Sequence, residues 1–369
     1  MSLPPFPGAK IKRVAAIVTE YRCNSHADVI LGRLLGDFGY TPRVEIISLY
    51  TDQVPANDMS RGAAAHHGIP IYPTIRETIR AEQSSSPIEG VLIIGEHGDY
   101  PNNAKGQTLY PRRRFLEETL LALDEESLNV PIFSDKHLSY DWQDALWMYN
   151  SLKARGIPFM GGSSIPHTDP IPGYNLSSLL TVSEILVISH STLIEAYGFH
   201  AVEVLQSLAE KREGGESGVQ SVEVAQGLAV WDLMDRKGWP EDLLLHALSA
   251  YPNIPSLHPR ELEPNPTLFM IEYTDGTKGY VVQFEALVEQ WGFAFRHSQG
   301  IVSSRCDSDL DRPFRHFERL TQLIEDFFIS RQPPFPMERT LLTTGLIGYA
   351  VDSLYYGKKL ETPELHFAY

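Results

Sequence analysis

The sequence predicts an α/β protein of two domains: a doubly wound parallel sheet, followed by an α+β domain with a mainly antiparallel open sheet. In the first half of the chain, short apolar runs alternate with stretches of helical periodicity. In the second half, Asp275-Gly276 joins two apolar runs, a turn typical of antiparallel hairpins. The 369 residues suffice for two domains. We expect them at 1–165 and 166–369, with the last helix, 339–356, able to pack back on the first domain.

The elements of the first half are predicted from apolar runs and from the capping residues in front of helical stretches. Strands are expected at 13–19, 44–50, 69–72, 90–95, 130–134 and 157–160. Helices are expected at 25–38, 60–67, 74–81, 112–123 and 142–155. Because strands that alternate with helices are joined by crossovers, they form a parallel sheet with helices on both faces.

The second half has longer strands and fewer crossovers. Strands are expected at 181–191, 219–227, 267–273 and 279–284, and helices within 192–211 and 231–250 and at 314–331 and 339–356. Tyr280, Val282 and Phe284, with the aromatic run 291–295, should form one face of the sheet. This face is expected either to join subunits or to pack against the chain's own helices.

The composition favours a soluble, cytoplasmic protein. The formal charge is −16, so nucleic acid and anionic membranes are poor partners. The two cysteines fit a reducing compartment, the start lacks an apolar signal core, and no apolar run is long enough to span a bilayer. The basic run Arg112-Arg113-Arg114 is expected to be a solvated helix face or a local anion contact.

Residues 130–140 are the stretch on which the functional interpretation depends. A buried strand runs into Asp135, Lys136 and His137, and a helix follows. In open α/β sheets, ligands bind beyond the carboxyl ends of the strands. Lys136 is therefore a candidate for proton transfer, and the alternative is an ordinary surface lysine.

The turn after the first strand, residues 19–26, contains no glycine. Glycines at this turn normally let backbone N–H groups approach the pyrophosphate of a dinucleotide. Either the turn is wider here, or the side chains of Glu20, Tyr21 and Arg22 fill the phosphate space. Asn24, Ser25 and the helix N-terminus could still hold an anion.

Two further strand ends carry candidate residues. Asp52 follows the second strand, where a carboxylate would accept hydrogen bonds from a ribose diol. Glu96 and His97 follow the fourth strand with Asp99 close behind, a set that suits a metal, a proton relay or a polyhydroxy ligand. The alternative is a solvated loop.

A helix in the second half carries Glu195, His200 and Glu203. His200 and Glu203 share a helix face, and Glu195 lies about a turn before His200. A His with a nearby Glu could form a general acid–base pair or bind a metal. The alternative is a structural histidine.

Several of these stretches together resemble the glucose–fructose oxidoreductase / inositol dehydrogenase / MocA family. Asp135-Lys136-His137 resembles the family's Glu-Lys-Pro motif, 156–163 its next strand, and 196–200 its Asp-x-Gly-x-His motif. Residues 339–354, with Glu361-Thr362-Pro363 after them, resemble its closing helix. The resemblance implies a Rossmann-like first domain, a nicotinamide cofactor, a catalytic Lys136 and a catalytic His200. It also implies a homodimer or homotetramer assembled through the second sheet.

The chain departs from the family pattern in three places, so it resembles a divergent member of the family. The Gly-x-Gly-x-x-Gly fingerprint, which seats the pyrophosphate of NAD(P), is missing at 19–25. His137 replaces the family's proline, which contributes to cofactor placement. Ala196 replaces the Asp four residues before His200, and Glu195 is the candidate to substitute for it.

Three functions remain open. The first is a sugar or polyol oxidoreductase of carbohydrate metabolism that uses NAD, preferred over NADP because Asp52 would repel a 2′-phosphate. Its catalytic residues would be Lys136, His200, His137 and Glu195. The cofactor would contact residues at the strand ends, namely Tyr21, Asn24, Ser25, Asp52, Glu96, His97 and Lys136.

The second function is a non-redox lyase, isomerase or hydrolase of a keto-sugar-like substrate. It would use the same acid–base groups without NAD, with or without a divalent metal held by Glu195, His200 and His137. The third is a binding protein with an inactive site. The density of ionisable residues at the strand ends argues mildly against it.

Overall fold

A computed structural model describes residues 11–81, 86–309 and 311–369, and divides the chain into two compact units. The first comprises Met1–Asn103, Thr108–Gly162 and Asp311–Thr340, and the second Ala104–Gln107, Ser163–Leu310 and Leu341–Tyr369. The boundary thus lies at Gly162, close to the predicted one. The expectation that 166–369 forms a single domain is corrected, because 311–340 belongs to the first unit.

The first unit contains a parallel five-stranded sheet in the order β2-β1-β3-β4-β5. Its strands are β1 Lys12–Val18, β2 Val44–Thr51, β3 Gly90–Ile94, β4 Ile132–Asp135 and β5 Phe159–Gly162. Its helices before the domain boundary are α1 Gly32–Leu34, α2 Ser60–His67, α3 Ile75–Arg80, α4 Arg112–Glu125 and α5 Trp142–Arg155. The strand order reverses between β1 and β3, so this pair marks the switch point where ligands bind in such sheets.

Two predicted elements of this unit take another form. Ser25 does begin a helical segment, since its Oγ accepts a hydrogen bond from the amide of Asp28 at 3.2 Å. The segment is, however, a π-helix, Ala27–Leu31, followed only by α1, and it ends at Gly36 with φ of 94°. The predicted strand at 69–72 is a single bridge between Leu49 and Ile71.

A helix from the C-terminal part of the chain completes the first unit. This helix, His316–Ser330 (α10 in the numbering below), places Leu320, Ile324 and Phe328 in the core cluster that also contains β1 residues. Its fully buried Glu325 accepts hydrogen bonds from the Tyr40 hydroxyl at 2.5 Å and from Arg43 Nε at 3.1 Å. These long-range contacts explain why residues 311–340 fold with the first unit.

The second unit contains an eight-stranded, mainly antiparallel sheet in the order β13-β8-β9-β10-β7-β11-β12-β6. Among the described strands of this sheet, only β10 and β7 pair in parallel. The strands are β6 Pro170–Ile171, β7 Glu184–His190, β8 Val219–Gln226, β9 Thr267–Tyr273, β10 Lys278–Phe284, β11 Gly292–His297, β12 Gly300–Cys306 and β13 Leu360–Glu361. The helices are α6 Ile194–Ala209, α7 Leu228–Asp235, α8 Glu241–Ser249 and α9 Pro259–Leu262. Helix α10, His316–Ser330, belongs to the first unit, and the last helix, α11 Met337–Tyr356, begins in the first unit and continues in the second from Leu341. The predicted fold class is confirmed for both units.

Part of the sheet face expected to join subunits packs against helices of the same chain. Tyr280, Val282 and Phe284 are 5%, 0% and 0% exposed and lie in one apolar cluster with residues of α7 and α8. Helices α7 and α8 therefore pack on this part of the sheet, and assembly of subunits through the second sheet stays a prediction. In the part of the chain that the structure describes, no helix is both long and apolar enough to cross a membrane.

Candidate functional site

The ends of β3 and β4 bring three charged side chains together. The two strands are neighbours and parallel, so the residues that follow them meet at the same edge of the sheet. Lys136 Nζ donates to Glu96 Oε1 at 2.7 Å, and the Arg112 guanidinium donates to Glu96 Oε2 at 2.5 Å. Glu96, Lys136 and Arg112 are 4%, 5% and 2% exposed. These three residues are called the Glu96 cluster below.

Glu96 is held as an anion. Burial is the largest influence on its pKa and raises it, but the positive charges of Lys136 and Arg112 outweigh burial and hold the pKa well below the usual value. A buried carboxylate of this kind is stable only with its partners, and removing one partner of a buried ion pair costs roughly 3–5 kcal/mol. Glu96 therefore fixes the position of the Lys136 ammonium.

The backbone around the Glu96 cluster is unusual. His97 and Lys136 have φ of 70° and 58°, in the left-handed region that non-glycine residues rarely adopt. Gly95 permits the approach of Arg112, because a Cβ there would lie 2.7 Å from Arg112 Cγ. Residues held in such conformations concentrate at functional sites.

His137 lies against the Glu96 cluster. It is 2% exposed, and its Nε2 is 3.1 Å from Arg112 NH1. A guanidinium can only donate, so this nitrogen accepts the hydrogen bond and the histidine proton lies on Nδ1. His137 is thereby placed beside Arg112, a contact that was not expected from the sequence.

A second pair at this edge, His26 and Asp135, was not anticipated as a pair. His26 Nδ1 lies 2.6 Å from Asp135 Oδ2, and Asp135 is 1% exposed. The His26 ring also lies 5.0 Å from the His97 ring. Burial, and next the charge of His26, lower the pKa of His97 to about 3, so His97 is neutral. The available signal was positional: His26 follows the β1 turn, and Asp135 ends β4.

Backbone N–H groups of the turn after β1 are hydrogen-bonded to other residues of the same turn and of the helix that follows it. Ser25 Oγ accepts from the amides of Arg22 and Asp28, each at 3.2 Å, and Asp28 Oδ2 accepts from the amide of Asn24 at 2.8 Å. The amide of Ser25 donates to the carbonyl of Arg22 at 3.0 Å. Four backbone N–H groups of the turn are therefore already used.

Side chains of this turn are also engaged. Glu20, 5% exposed, accepts a hydrogen bond from Arg22 Nε at 2.6 Å. Tyr21 is fully buried in the core, so only its backbone remains as a cofactor contact. Thr19 Oγ1 donates to the carbonyl of Glu96 at 2.6 Å and links the β1 and β3 ends.

Three side chains donate hydrogen bonds to the carboxylate of Asp52. Its Oδ1 accepts from the Tyr50 hydroxyl at 2.6 Å and from Arg114 at 2.5 Å, and its Oδ2 accepts from the Tyr100 hydroxyl at 2.7 Å. Burial raises its pKa, but these hydrogen bonds outweigh burial and lower the pKa overall. A ribose diol would therefore compete with these donors for the carboxylate.

The fit of a dinucleotide is consequently poor. The turn after β1 lies at the edge of the sheet where dinucleotides bind, but it contains no glycine. Four of its backbone N–H groups are already hydrogen-bonded to the protein, and the carboxylate of Glu20 is buried there. These residues do not fit the usual seat of a pyrophosphate.

In the second unit, His200 and Glu203 meet on one residue. His200, 7% exposed on α6, bonds through Nδ1 to the Ser163 hydroxyl, and Glu203 accepts a hydrogen bond from the Ser163 amide. The predicted common face of His200 and Glu203 is confirmed by this shared contact. Ser163 was not singled out from the sequence, because its partners are 37 and 40 residues away.

Aromatic rings surround His200. Its ring lies 5.0 Å from Trp291, which stacks on Tyr197 at 5.8 Å. His190 lies 4.5 Å from Trp291, and burial lowers its pKa to about 4. The Trp291 ring therefore has histidines on two sides.

Glu195 pairs with a glutamine. Its carboxylate accepts a hydrogen bond from Gln107 Nε2 at 2.7 Å, and Gln107 is 3% exposed.

Across residues 11–81, 86–309 and 311–369, no group of three or more His, Cys, Asp or Glu side chains is placed to hold a metal ion. The predicted metal set of Glu195, His200 and His137 has no support there.

Comparison with known proteins identifies the fold. No family model matches the chain, and no curated protein matches it in sequence. Solved structures match over nearly the whole chain. One is GenD2 from gentamicin A biosynthesis in complex with NAD, at 13% identity, with 98% of this chain and 99% of that chain covered and a TM-score of 0.62.

Two inositol dehydrogenases match similarly. Myo-inositol 2-dehydrogenase from Lactobacillus plantarum shows 11% identity, 95% and 99% coverage and a TM-score of 0.63. Scyllo-inositol dehydrogenase from Lactobacillus casei, with bound NAD(H) and scyllo-inositol, shows 11% identity, the same coverage and a TM-score of 0.60. At this identity the likeness establishes the fold alone, a Rossmann-like unit with a sheet-bearing second unit, as predicted.

Proposed function

We propose that this protein is an oxidoreductase that acts on a small polyhydroxy compound with a nicotinamide cofactor. One observation carries the proposal. A buried lysine, Lys136, lies at the carboxyl end of β4 in a fold shared over 95–98% of the chain with GenD2, which was solved with NAD, and with two inositol dehydrogenases, one of them solved with NAD(H). A dinucleotide would have to be held without the glycine turn.

Lys136 and His200 are the proposed proton-transfer groups. The Lys136 ammonium, positioned by Glu96, would donate a proton to the reacting oxygen of the substrate. Because His200 Nδ1 bonds to Ser163, proton exchange would take place at Nε2. Glu203, bonded to the Ser163 amide, would hold Ser163 in place.

A second candidate is a non-redox isomerase or lyase of a keto-sugar-like compound. The observation that favours it is the turn after β1, whose amides are bonded to Ser25 and Asp28. The same lysine and histidine would then move protons without a cofactor.

Calorimetric titration of the purified protein with NAD and with NADP separates the two candidates. Binding of either cofactor, with reduced cofactor formed from a polyol, supports the oxidoreductase. No binding, together with isomerisation or elimination of a keto-sugar, discards the oxidoreductase and supports the second candidate.

The roles of the two residues are tested in parallel. Lys136→Met and His200→Ala should each abolish turnover, because each removes a proton-transfer group. Lys153→Met and His246→Ala are matched controls, since both side chains are exposed on helices of the same two units. Full activity in both test variants would refute both candidates.

A further inference from the structure

The Glu96 cluster has more positive than negative charge. Within the described residues, the ion pairs of the cluster join the cations Lys136 and Arg112 to one carboxylate, that of Glu96, so these pairs carry one positive charge in excess. The neighbouring carboxylate of Asp135 is hydrogen-bonded to His26 instead. By contrast, the buried Arg212 of the second unit faces two carboxylates, Glu216 and Asp275. An uncompensated buried charge is costly, so the excess calls for an anion.

The two cations of the Glu96 cluster also have N–H groups that make no hydrogen bond within the described residues. Arg112 uses NH2 on Glu96 and NH1 on His137, but its buried Nε has no hydrogen-bond partner in the described part of the chain. The Lys136 ammonium has three donors, and within the same residues it makes one hydrogen bond, to Glu96. The unused donors therefore belong to cations, which form their strongest hydrogen bonds with anionic oxygens.

We propose that Lys136 and Arg112 bind an anionic oxygen group, a carboxylate or a phosphate, of the substrate. The site lies at the carboxyl ends of β3 and β4, where ligands of such sheets bind. The substrate is then a polyhydroxy acid or a phosphorylated polyhydroxy compound. The polyhydroxy part of this statement rests on the proposed function, whereas the anion site rests on the Glu96 cluster alone.

Wild-type protein provides the first test and needs no substitution. Calorimetric titrations at constant ionic strength compare glucose with glucuronate, which carries a carboxylate, and with glucose 6-phosphate. We expect one of the two anions to bind at least about tenfold more tightly than glucose. The anion that does so distinguishes the carboxylate source from the phosphate source. Equal affinity for all three compounds would overturn the proposal.

Substitution of Glu96 provides the second test, because its expected sign is opposite to that of simple damage. Glu96→Gln removes the carboxylate that competes for both cations, so anion affinity should rise by about tenfold. Lys136→Met should abolish the preference for the anion. A Glu96→Gln protein that binds the anion more weakly than wild type would contradict the site.

Arg112 is tested against its own neighbour. Arg112→Lys keeps the charge but loses the Nε donor, so it should weaken the binding of the preferred anion severalfold. Arg113→Gln, one residue further on the same helix and half-buried, should leave binding unchanged. Equal affinity in both variants would exclude Arg112 from the site. Circular dichroism checks that each variant is folded, and the wild-type comparison stands if one is not.

These readouts are separate from those of the proposed function. Anion binding without NAD binding or turnover would retain the site and discard the oxidoreductase. NAD-dependent turnover of a neutral polyol without preference for an anion would retain the oxidoreductase and discard the site.

Discussion

Replacing His97 by Asn should remove an acid-sensitive contribution to the stability of the first unit. Burial, and to a smaller extent the charge of His26, lowers the pKa of His97 to about 3. A histidine in the unfolded chain has a pKa of about 6.5. Because the folded pKa is the lower one, the unfolded chain takes up the proton first. The contribution is complete above about pH 6.5 and is lost as the pH falls. Between about pH 7 and about pH 5 it amounts to about 2 kcal/mol.

Asparagine suits the position, because it tolerates the φ of 70° found there. Urea unfolding is followed by circular dichroism at about pH 7 and about pH 5 for wild type and variant. Wild type should lose about 2 kcal/mol more than His97→Asn, and the exposed-site control His67→Asn should behave like wild type. His190 is present in every protein, so its effect cancels. An identical pH dependence in wild type and His97→Asn would refute the reasoning.

Three further predictions follow from buried side chains. Gln283, 3% exposed, has no hydrogen-bond partner for either amide atom in the described part of the chain, so Gln283→Leu should raise the free energy of unfolding by about 1 kcal/mol in urea denaturation. A clear loss instead would reveal a partner such as a buried water. Val282→Asp should unfold the second unit, seen as a lost thermal transition, because the face under α7 and α8 is core. A folded variant with only a changed sedimentation coefficient would instead place Val282 at a contact between subunits. Glu325→Gln should destabilise the first unit by about 3 kcal/mol, since it loses the charge that holds Arg43. Unchanged urea unfolding of that unit would contradict a stabilising contact between α10 and Arg43.

Local signals in the sequence were enough to predict many elements. The helix Trp142–Arg155 was predicted with its observed ends, because Asp141 Oδ1 accepts from the Asp144 amide at 3.0 Å and Gly156 ends the helix at φ of 59°. The hairpin around Asp275-Gly276 was likewise predicted from turn chemistry, and it joins β9 to β10. Such features depend on neighbouring residues and are therefore visible in sequence.

Features that depend on distant contacts were missed. The strands β11 and β12 were not assigned, and α10 was placed in the wrong unit, because its core partners lie near residues 14–49. Likewise, Arg112 was grouped with Arg113 and Arg114 as a solvated face or local anion contact, although only Arg112 is fully buried. Its partner Glu96 lies 16 residues away across the sheet edge.

The candidate site could be predicted in composition but not in pairing. Lys136, His137, Glu96 and His97 were singled out from their positions after strands, and the structure brings them to one edge of the sheet. The Glu96 cluster and the His26–Asp135 pair depend on strand order, which a single sequence does not reveal.

The central claim, that Lys136 moves a proton during turnover, is tested most directly by one comparison. Wild type, Lys136→Met and Lys153→Met are each supplied with a panel of polyols, sugar acids and keto-sugars, with and without NAD, and product is measured. Wild type and Lys153→Met should form product, and Lys136→Met should form none. Turnover by Lys136→Met at the wild-type rate would contradict it.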